Sequence, residues 1–240
     1  LELLHMEYLE QHPNGYQYTA FCRRYTKWLQ KRQLSMRQVH KAGDKLFVDY
    51  AGKKPRIINP KTGEETPVEL FVACLGASNY TYAEATLTQR SQDFIRSHIR
   101  CLEYLGGVPM AIVPDQLKSG VTKACRYEPV VQRTYEEMAT HYQTVVLPAR
   151  PKKPKDKAKV EVSVQIVERW ILARLRNEVF HSLATLNHRI AELLSDLNCR
   201  PMKTYGGKSR RDLFVELDKP ALAPSLCANV VEKVSPENLL

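Results

Sequence analysis

The chain has 240 residues, of which 43% are hydrophobic and 26% are charged. This composition predicts a globular protein of one or two domains and excludes a disordered or collagen-like chain. The longest apolar run, residues 70–77, is far shorter than the roughly 18 residues of a membrane-spanning helix, and the start LELLHMEYLE lacks the order of a signal peptide. We therefore expect neither a membrane protein nor an exported one.

Two further features bear on location. The six cysteines are scattered singly, which predicts reduced, buried thiols in the cytoplasm rather than disulfides or a metal site. The chain begins with Leu1 instead of Met, so we expect it to be a trimmed part of a longer protein.

The net charge of +10 is concentrated in three basic blocks. Residues 11–43 carry +7, residues 150–160 carry +5 and residues 200–211 carry +5, so the remainder of the chain is net −7. Separate basic blocks on an otherwise acidic chain favour a protein that binds a polyanion such as DNA at several points. The alternative is a solvated basic face that binds nothing.

The first 40 residues predict a helix-turn-helix-like DNA-binding segment. A short helix at 2–11 and a turn at 12–15 precede a second helix, whose aromatic and apolar residues from Tyr18 to Leu29 recur at helical spacing. The basic residues of this second helix fall away from that stripe and would face DNA; they are Arg23, Arg24, Lys27 and Lys31. Any small helical hairpin with a solvated basic face would show the same pattern.

Residues 41–200 predict an α/β domain. The elements in chain order are strands at 45–50, 55–58, 68–75 and 80–87, a helix at 91–105, a strand at 110–113, a helix at 129–143, a strand at 144–147 and a long helix from about 156. The strands at 55–58 and 68–75 flank the turn sequence NPKTGEE and predict a hairpin. The overall order is β-β-β-α-β-α-β-α.

Two stretches are less clear from the pattern alone. Residues 160–167 alternate like a strand, but the spacing of Val160, Val164 and Val167 and the helix formers that follow favour a helix. Gly206 and Gly207 precede basic and then proline-containing sequence, which predicts a boundary near 200–212. We expect residues 201–240 to be the start of a C-terminal domain or a basic linker.

Three carboxylates stand where acidic residues are unexpected. Asp49 interrupts the strand LFVDYAG, where an unpartnered buried charge costs several kcal/mol. Asp115 directly follows the apolar run MAIVP, at a strand end of the kind that commonly carries function. Glu161 lies in the first turns of the long helix, after the basic loop, and Glu168 is a reserve candidate. Taken singly, each acid has an ordinary alternative as a cap, turn residue or ion-pair partner.

Taken together, in this order of elements, the three acids favour a metal site. Two carboxylates about 4 Å apart repel by roughly 4 kcal/mol at an effective dielectric near 20, so their convergence requires cations. Oxygen ligands without a His or Cys cluster favour Mg²⁺, with Mn²⁺ as a substitute. Two such ions can activate an attacking oxygen and stabilise a leaving oxygen in phosphodiester exchange.

The sequence resembles the catalytic part of the DDE transposases, and more narrowly the IstA class of two-gene IstA/IstB insertion sequences. The matching stretches are distributed over nearly the whole length of the chain; they are GYQYTAFCRRYTKW (15–28), MRQVHKAGDKLFVDYAG (36–52), VPDQLKSGV (113–121), PKKPKDKAKVEVSV (151–164) and SRRDLFVELDKPAL (209–222). The resemblance implies a ribonuclease H-like catalytic domain over 41–200, with Asp49, Asp115 and Glu161 as the catalytic and metal-binding residues.

The resemblance also implies a reaction and partners. Asp49 would bridge two Mg²⁺ ions, and Asp115 and Glu161 would each hold one. Water would cleave at the transposon end, and the released 3′-OH would attack target DNA. Lysines beside the acids would hold phosphates, with plain solvation as the alternative; they are Lys118, Lys155, Lys157 and Lys159. We expect a homo-multimer on paired double-stranded terminal repeats, an IstB-like AAA+ ATPase partner, and a bacterial cytoplasmic, nucleoid-associated location.

Two alternatives remain at this stage. The first is a hydrolytic nuclease of the same fold, such as a junction resolvase or ribonuclease, for which a basic front helix would be superfluous. The second is a non-catalytic DNA-binding protein, for which the basic blocks would suffice and the three acids would be incidental.

Overall fold

The computed structural model describes residues 1–32, 40–114, 121–123, 130–131, 133–148 and 154–224. Side chains are described throughout these ranges except at 30–32, 121–123, 130–131 and 154–158. The chain divides into two compact units, residues 1–39 and residues 40–240. No helix in the described ranges is both long and apolar enough to cross a bilayer.

The first unit contains two helices, α1 (Glu2–Gln11) and α2 (Tyr18–Arg32). His5 and Tyr8 of α1 both pack against Phe21 of α2, with ring centroids 5.1 Å apart in each case. Gly15 in the connecting turn has no room for a side chain, because a Cβ there would lie 2.5 Å from the Tyr8 ring. The two helices therefore meet through a small aromatic cluster.

The second unit contains the remaining elements in this order: β1 (Lys45–Tyr50), β2 (Arg56–Ile58), β3 (Glu65–Pro67), β4 (Glu69–Leu75), β5 (Thr81–Thr86), α3 (Ser91–Leu105), β6 (Ala111–Pro114), β7 (Val121–Lys123), β8 (Val130–Val131), α4 (Arg133–His141), β9 (Val145–Val146), α5 (Pro154–Val167), α6 (Ala173–Leu175), α7 (Leu183–Cys199) and α8 (Arg210–Leu213). A π-helical turn, Glu168–Leu172, joins α5 to α6, so 160–167 is helical as predicted. The predicted helix at 129–143 is shorter, because 130–131 form a strand.

A five-stranded mixed sheet forms the centre of this unit, in the order β5-β4-β1-β6-β9. β4 pairs antiparallel with both β1 and β5, whereas β6 is parallel to β1 and β9 is parallel to β6. This arrangement confirms the predicted α/β core and its order of strands and helices. β1 is the central strand, which explains why its residues are mostly buried.

The predicted hairpin between 55–58 and 68–75 is wrong in its second strand. β2 pairs with β3, whose three residues are all exposed, while β4 belongs to the main sheet. The turn is closed by Asn59, whose side-chain oxygen accepts hydrogen bonds from the backbone N–H groups of Lys61 and Thr62. β3 carries no apolar alternation, and its pairing therefore left no signal in the hydrophobic pattern.

Helices cover both faces of the sheet. On one face, Leu46, Val48 and Tyr50 of β1 pack with buried residues of α3 and α4. On the other face, apolar residues of β4 and β5 pack with the helical stretch from Val167 to Leu175 and with α7. The unit is thus a three-layer α/β/α structure, and β1 separates its two hydrophobic cores.

A buried histidine ties α3 to α4. His98 Nδ1 lies 2.7 Å from the Phe94 carbonyl oxygen, which requires a proton on Nδ1, and its Nε2 lies 3.0 Å from the Tyr135 hydroxyl. Burial lowers the pKa of His98 to about 4, so the ring is neutral at neutral pH and accepts a hydrogen bond from Tyr135.

The edge strand β5 is closed by two asparagines of α7. Asn198 accepts from the Thr81 N–H at 3.1 Å and donates to the Thr81 carbonyl at 2.7 Å. Asn187 makes the same pair of bonds with Ala85, at 2.6 and 2.9 Å. These side-chain amides take the place of a neighbouring strand, which protects an edge that would otherwise invite pairing with another chain.

The boundary predicted near 200–212 does not divide the described chain, because residues 201–224 belong to the second unit. Phe214 is buried and stacks on Tyr80, with ring centroids 4.2 Å apart. Asp218, at the end of a second π-helical turn, is 1% exposed and accepts hydrogen bonds from the backbone N–H groups of Gly43 and Ser78. This carboxylate fixes the chain before β1 and the turn between β4 and β5.

We predict that Asp218→Ala lowers the free energy of unfolding by about 3 kcal/mol, because two buried N–H donors lose a charged acceptor. Urea unfolding followed by fluorescence would measure the loss. The matched control is Glu216→Ala, on the same π-helical turn, which removes only an exposed ion pair with Lys208 worth at most about 1 kcal/mol. Equal effects of the two substitutions would contradict the assigned role of Asp218.

Candidate functional site

Asp49 is the only polar residue of β1 after its first position, and it is half-buried. Its partner on β4 is Val72, and the face that it shares with Phe47 is the face covered by α5. The Tyr50 N–H donates to Asp49 Oδ1 at 2.8 Å. A carboxylate thus lies on the central strand, beneath a helix, close to where β1 ends.

The neighbouring parallel strand, β6, ends one residue short of the level of Asp49 on β1. Val48 is the register partner of Pro114, the last residue of β6. In the sequence, Asp49 directly follows Val48 and Asp115 directly follows Pro114, the two residues of this pair. Asp115 itself lies outside the described residues, as does Lys118.

Helix α5 packs directly over these two strands. Val160 is 2% exposed and forms a small cluster with Phe47 of β1 and Val113 of β6, against which Val164 also packs. The residue that precedes Val160, Lys159, lies near His40, whose ring packs edge-to-face with Phe47 at 5.3 Å between ring centroids. Burial, and then the charges of Lys159 and Lys45, lower the pKa of His40.

Glu168, the first residue after α5, contacts the chain that follows β1. Its Oε1 accepts a hydrogen bond of 3.2 Å from the backbone N–H of Lys53. Because Val160 packs on Phe47 and Glu168 bonds to Lys53, α5 runs in the same direction as β1. The reserve candidate Glu168 thus contacts the chain that leaves β1, and its assignment as an alternative metal ligand stays a prediction.

Glu161 lies seven residues before Glu168, which is about two helical turns, and therefore occupies the same flank of α5. Those seven residues rise by about 10.5 Å, and the four residues from Asp49 to Lys53 span at most about 14 Å. Because the two elements, α5 and β1, run in the same direction, we expect Glu161 at a level near that of Asp49. Glu161 is exposed, and its carboxylate has no hydrogen bond or ion pair within the described ranges.

The donors present here fit a hard divalent cation. Both Asp49 and Glu161 offer carboxylate oxygens, which are the ligands that Mg²⁺ and Mn²⁺ prefer. Within the part of the chain that is described, which leaves out Asp115, no group of three His, Cys, Asp or Glu residues could hold a metal ion. The described ranges therefore contain two of the three predicted ligands, Asp49 and Glu161. The convergence of all three acids on one metal site stays a prediction.

The predicted DNA-binding residues are placed as follows. Arg23, Arg24 and Lys27 are exposed on α2, and the Arg24 guanidinium stacks over Tyr16, 4.1 Å from the ring centre. Lys159 is half-buried at the start of α5. The side chains of Lys31, Lys155 and Lys157 lie outside the described residues, although all three belong to helices.

Two basic residues outside the charge blocks, Lys53 and Arg176, line one cleft and were not predicted from the sequence. They are 123 positions apart and neither belongs to a basic block. The only indication of this cleft in the sequence was the pair of lysines, Lys53 and Lys54, that follows the motif around Asp49.

The fold is that of the retroviral integrase catalytic cores, a ribonuclease H-like fold. The HTLV-2 integrase catalytic core domain, solved in complex with magnesium, matches with a TM-score of 0.53 and 15% identity. The match covers 74% of this chain and 99% of that domain. At this identity the likeness establishes the fold alone.

The sequence relatives are transposases of insertion sequences. The chain is 51% identical over 224 residues to an inferred transposase of Sinorhizobium fredii, and 51% identical over 226 residues to the inferred transposase of insertion sequence IS408 from Burkholderia multivorans. Each match covers 93% of this chain and 43% of the relative, so the chain spans less than half the length of these proteins. A scan against protein-family models gives no match.

We predict that Mn²⁺ binding distinguishes the two glutamates of this flank. Glu161→Gln and Asp49→Asn should each weaken binding at least about tenfold, because each removes a charged oxygen ligand. Glu168→Gln, the matched control, should change it less than about twofold, since the amide oxygen still accepts from Lys53. Titration with paramagnetic resonance detection of free Mn²⁺ measures this. Equal losses in Glu161→Gln and Glu168→Gln would contradict the assignment.

Proposed function

We propose that the chain is the catalytic part of a DNA transposase of an insertion sequence, of the IstA class. The observation that carries the proposal is the Asp49 carboxylate on the central strand of an integrase-type core, beneath the helix that bears Glu161. The relatives assigned as transposases support the same activity.

In this proposal, Asp49, Asp115 and Glu161 are the catalytic residues and hold two Mg²⁺ ions, which Mn²⁺ can replace. The bound ions would supply the positive charge that activates the attacking oxygen and stabilises the leaving one. The role of the chain is to position these ligands: the β1 ladder fixes Asp49, and the packing of Val160 on Phe47 and Val113 fixes the helix of Glu161. No protein nucleophile is required.

The reaction has two phosphodiester exchanges. In the first, water attacks the phosphorus at the transposon end, and the bond to the 3′ oxygen breaks to leave a free 3′-OH. In the second, that 3′-OH attacks a phosphorus of target DNA, and the target strand's own 3′ oxygen leaves. Both steps need in-line geometry and charge neutralisation, which rigid ligand positions provide.

DNA contacts are assigned to two groups of basic residues. Arg23, Arg24, Lys27 and Lys31 of α2 would bind the terminal repeats, and the exposure of the first three supports this. Lys118, Lys155, Lys157 and Lys159 would hold phosphates beside the acids. The protein would act as a homo-multimer on paired ends, with an IstB-like AAA+ ATPase, in the bacterial cytoplasm at the nucleoid.

The test is a strand-transfer assay with purified protein, labelled terminal-repeat duplexes of the insertion sequence that encodes it, supercoiled target plasmid and Mg²⁺. We expect joined products, reduced at least about 100-fold by Asp49→Asn or Glu161→Gln. Lys219→Ala, an exposed change at the opposite end of β1, should leave them unchanged.

Other outcomes would contradict the proposal. Cleaved ends without any joined product would indicate a hydrolytic nuclease of the same fold. Terminal-repeat binding without cleavage, unaffected by Asp49→Asn, would indicate a DNA-binding protein in which the acids are incidental.

A further inference from the structure

An open cleft of about 450 Å³ lies between β2 and the chain that follows α6. We call it the basic cleft; its walls include Lys53, Arg56 and Glu65 on one side and Arg176 and Glu178 on the other, over a floor with Leu175 and Phe180. Leu175 and Phe180 are buried, whereas the charged residues stand exposed at the rim. An apolar floor with a charged rim suits a ligand that is itself apolar on one side and charged on the other.

The two walls are tied together. The Ile58 N–H of β2 donates to the Phe180 carbonyl at 2.8 Å, and the Ile58 carbonyl lies 2.9 Å from His181 Nδ1. On the other side, the Lys53 N–H is bonded to Glu168. The cleft is therefore built into the fold and does not depend on a closing movement.

Each carboxylate of the cleft has an ion-pair partner, and the arginine that pairs with Glu178 is shared with Glu192. Glu65 pairs with Arg56 at 2.5 Å, and Glu178 pairs with Arg189 at 3.1 Å. Lys54 pairs with Glu69 at 2.5 Å. This leaves the two cations Lys53 and Arg176.

Neither of these cations has a carboxylate partner among the residues that the structure describes. The Arg176 guanidinium donates one hydrogen bond to the Ala173 carbonyl and keeps its other N–H groups for a ligand. Two uncompensated cations facing one cleft form a site for an anionic ligand.

The position of the cleft relative to the acids suggests its ligand. Lys53 follows Asp49 by four residues, so its backbone lies within about 14 Å of Asp49. A DNA strand with a phosphate at the acids advances about 3.4 Å per nucleotide along a duplex. Its phosphates about four nucleotides away would therefore reach the level of the cleft.

We propose that the basic cleft binds the sugar–phosphate backbone of the DNA strand that leaves the acid site, with Lys53 and Arg176 on its phosphates. This rests on the proposed function for the identity of the DNA. The deoxyribose would lie over the apolar floor, and the cleft would fix the strand that carries the scissile phosphate. Lys53 and Arg176 would be positioning residues, since they act on DNA away from the reacting atoms.

The experiment measures the salt dependence of binding to a short fluorescein-labelled DNA duplex of mixed sequence, by anisotropy between about 50 and 200 mM KCl. The double variant Lys53→Ala/Arg176→Ala should reduce the slope of log affinity against log salt by about 1 for each lost phosphate contact. Both side chains are exposed, so the variant should unfold at the same temperature as the parent, which a thermal scan verifies.

The matched control is Lys219→Ala/Arg96→Ala, which removes one exposed lysine and one exposed arginine outside the basic blocks. Lys219 follows Asp218 at the opposite end of β1, and Arg96 belongs to α3, on the sheet face opposite α5. The slope of this control should stay within experimental error of the parent. An unchanged slope in the cleft variant, or an equal fall in the control, would overturn the assignment of the cleft.

The cleft and the proposed function can fail separately. Asp49→Asn should abolish strand transfer but leave the salt slope unchanged. A cleft variant with a lower slope would support the cleft even if the Asp49→Asn protein joined ends normally, which would reject the proposed function. Loss of joining in Asp49→Asn together with an unchanged slope in the cleft variant would reject the cleft alone.

Discussion

The packing of α5 across β1 and β6 is the constraint on which the site depends. Val160 inserts between Phe47 and Val113, and burial of such a side chain contributes about 1.5–3 kcal/mol. Since each residue turns a helix by about 100°, a shift of one position would carry Glu161 off the flank that it shares with Glu168. The contact of Glu168 with Lys53 fixes the same register two turns later.

Two acidic residues of the second unit connect its π-helical turns to the chain that flanks β1. Glu168 and Asp218 each belong to a π-helical turn, and each accepts a hydrogen bond from the backbone N–H of a residue flanking β1. Glu161 lacks such a partner within the described chain. Asp49 also accepts a backbone N–H, that of the adjacent Tyr50, so such a bond alone does not separate a structural acid from a metal ligand.

Much of the fold could be predicted from the sequence, because β1, β4, β5 and α3 carry strong apolar periodicity and Gly106 ends α3 in a left-handed conformation. The β2–β3 pairing and the docking of residues 201–224 could not, since they depend on polar contacts such as those of Asn59 and Asp218. In the site, Asp49 and Glu161 stood out as acids in apolar or basic surroundings. Lys53 and Arg176 could not be found from the sequence, because only the tertiary fold brings them to one cleft.

The central claim is that Asp49, Asp115 and Glu161 converge on shared metal ions. Anomalous diffraction from crystals of this chain grown with Mn²⁺ tests it most directly. The account predicts metal positions within about 2.0–2.2 Å of carboxylate oxygens from all three residues, with Glu168 still bonded to Lys53. A metal bound at Asp49 without Glu161, or no metal at Asp49 at all, would contradict it.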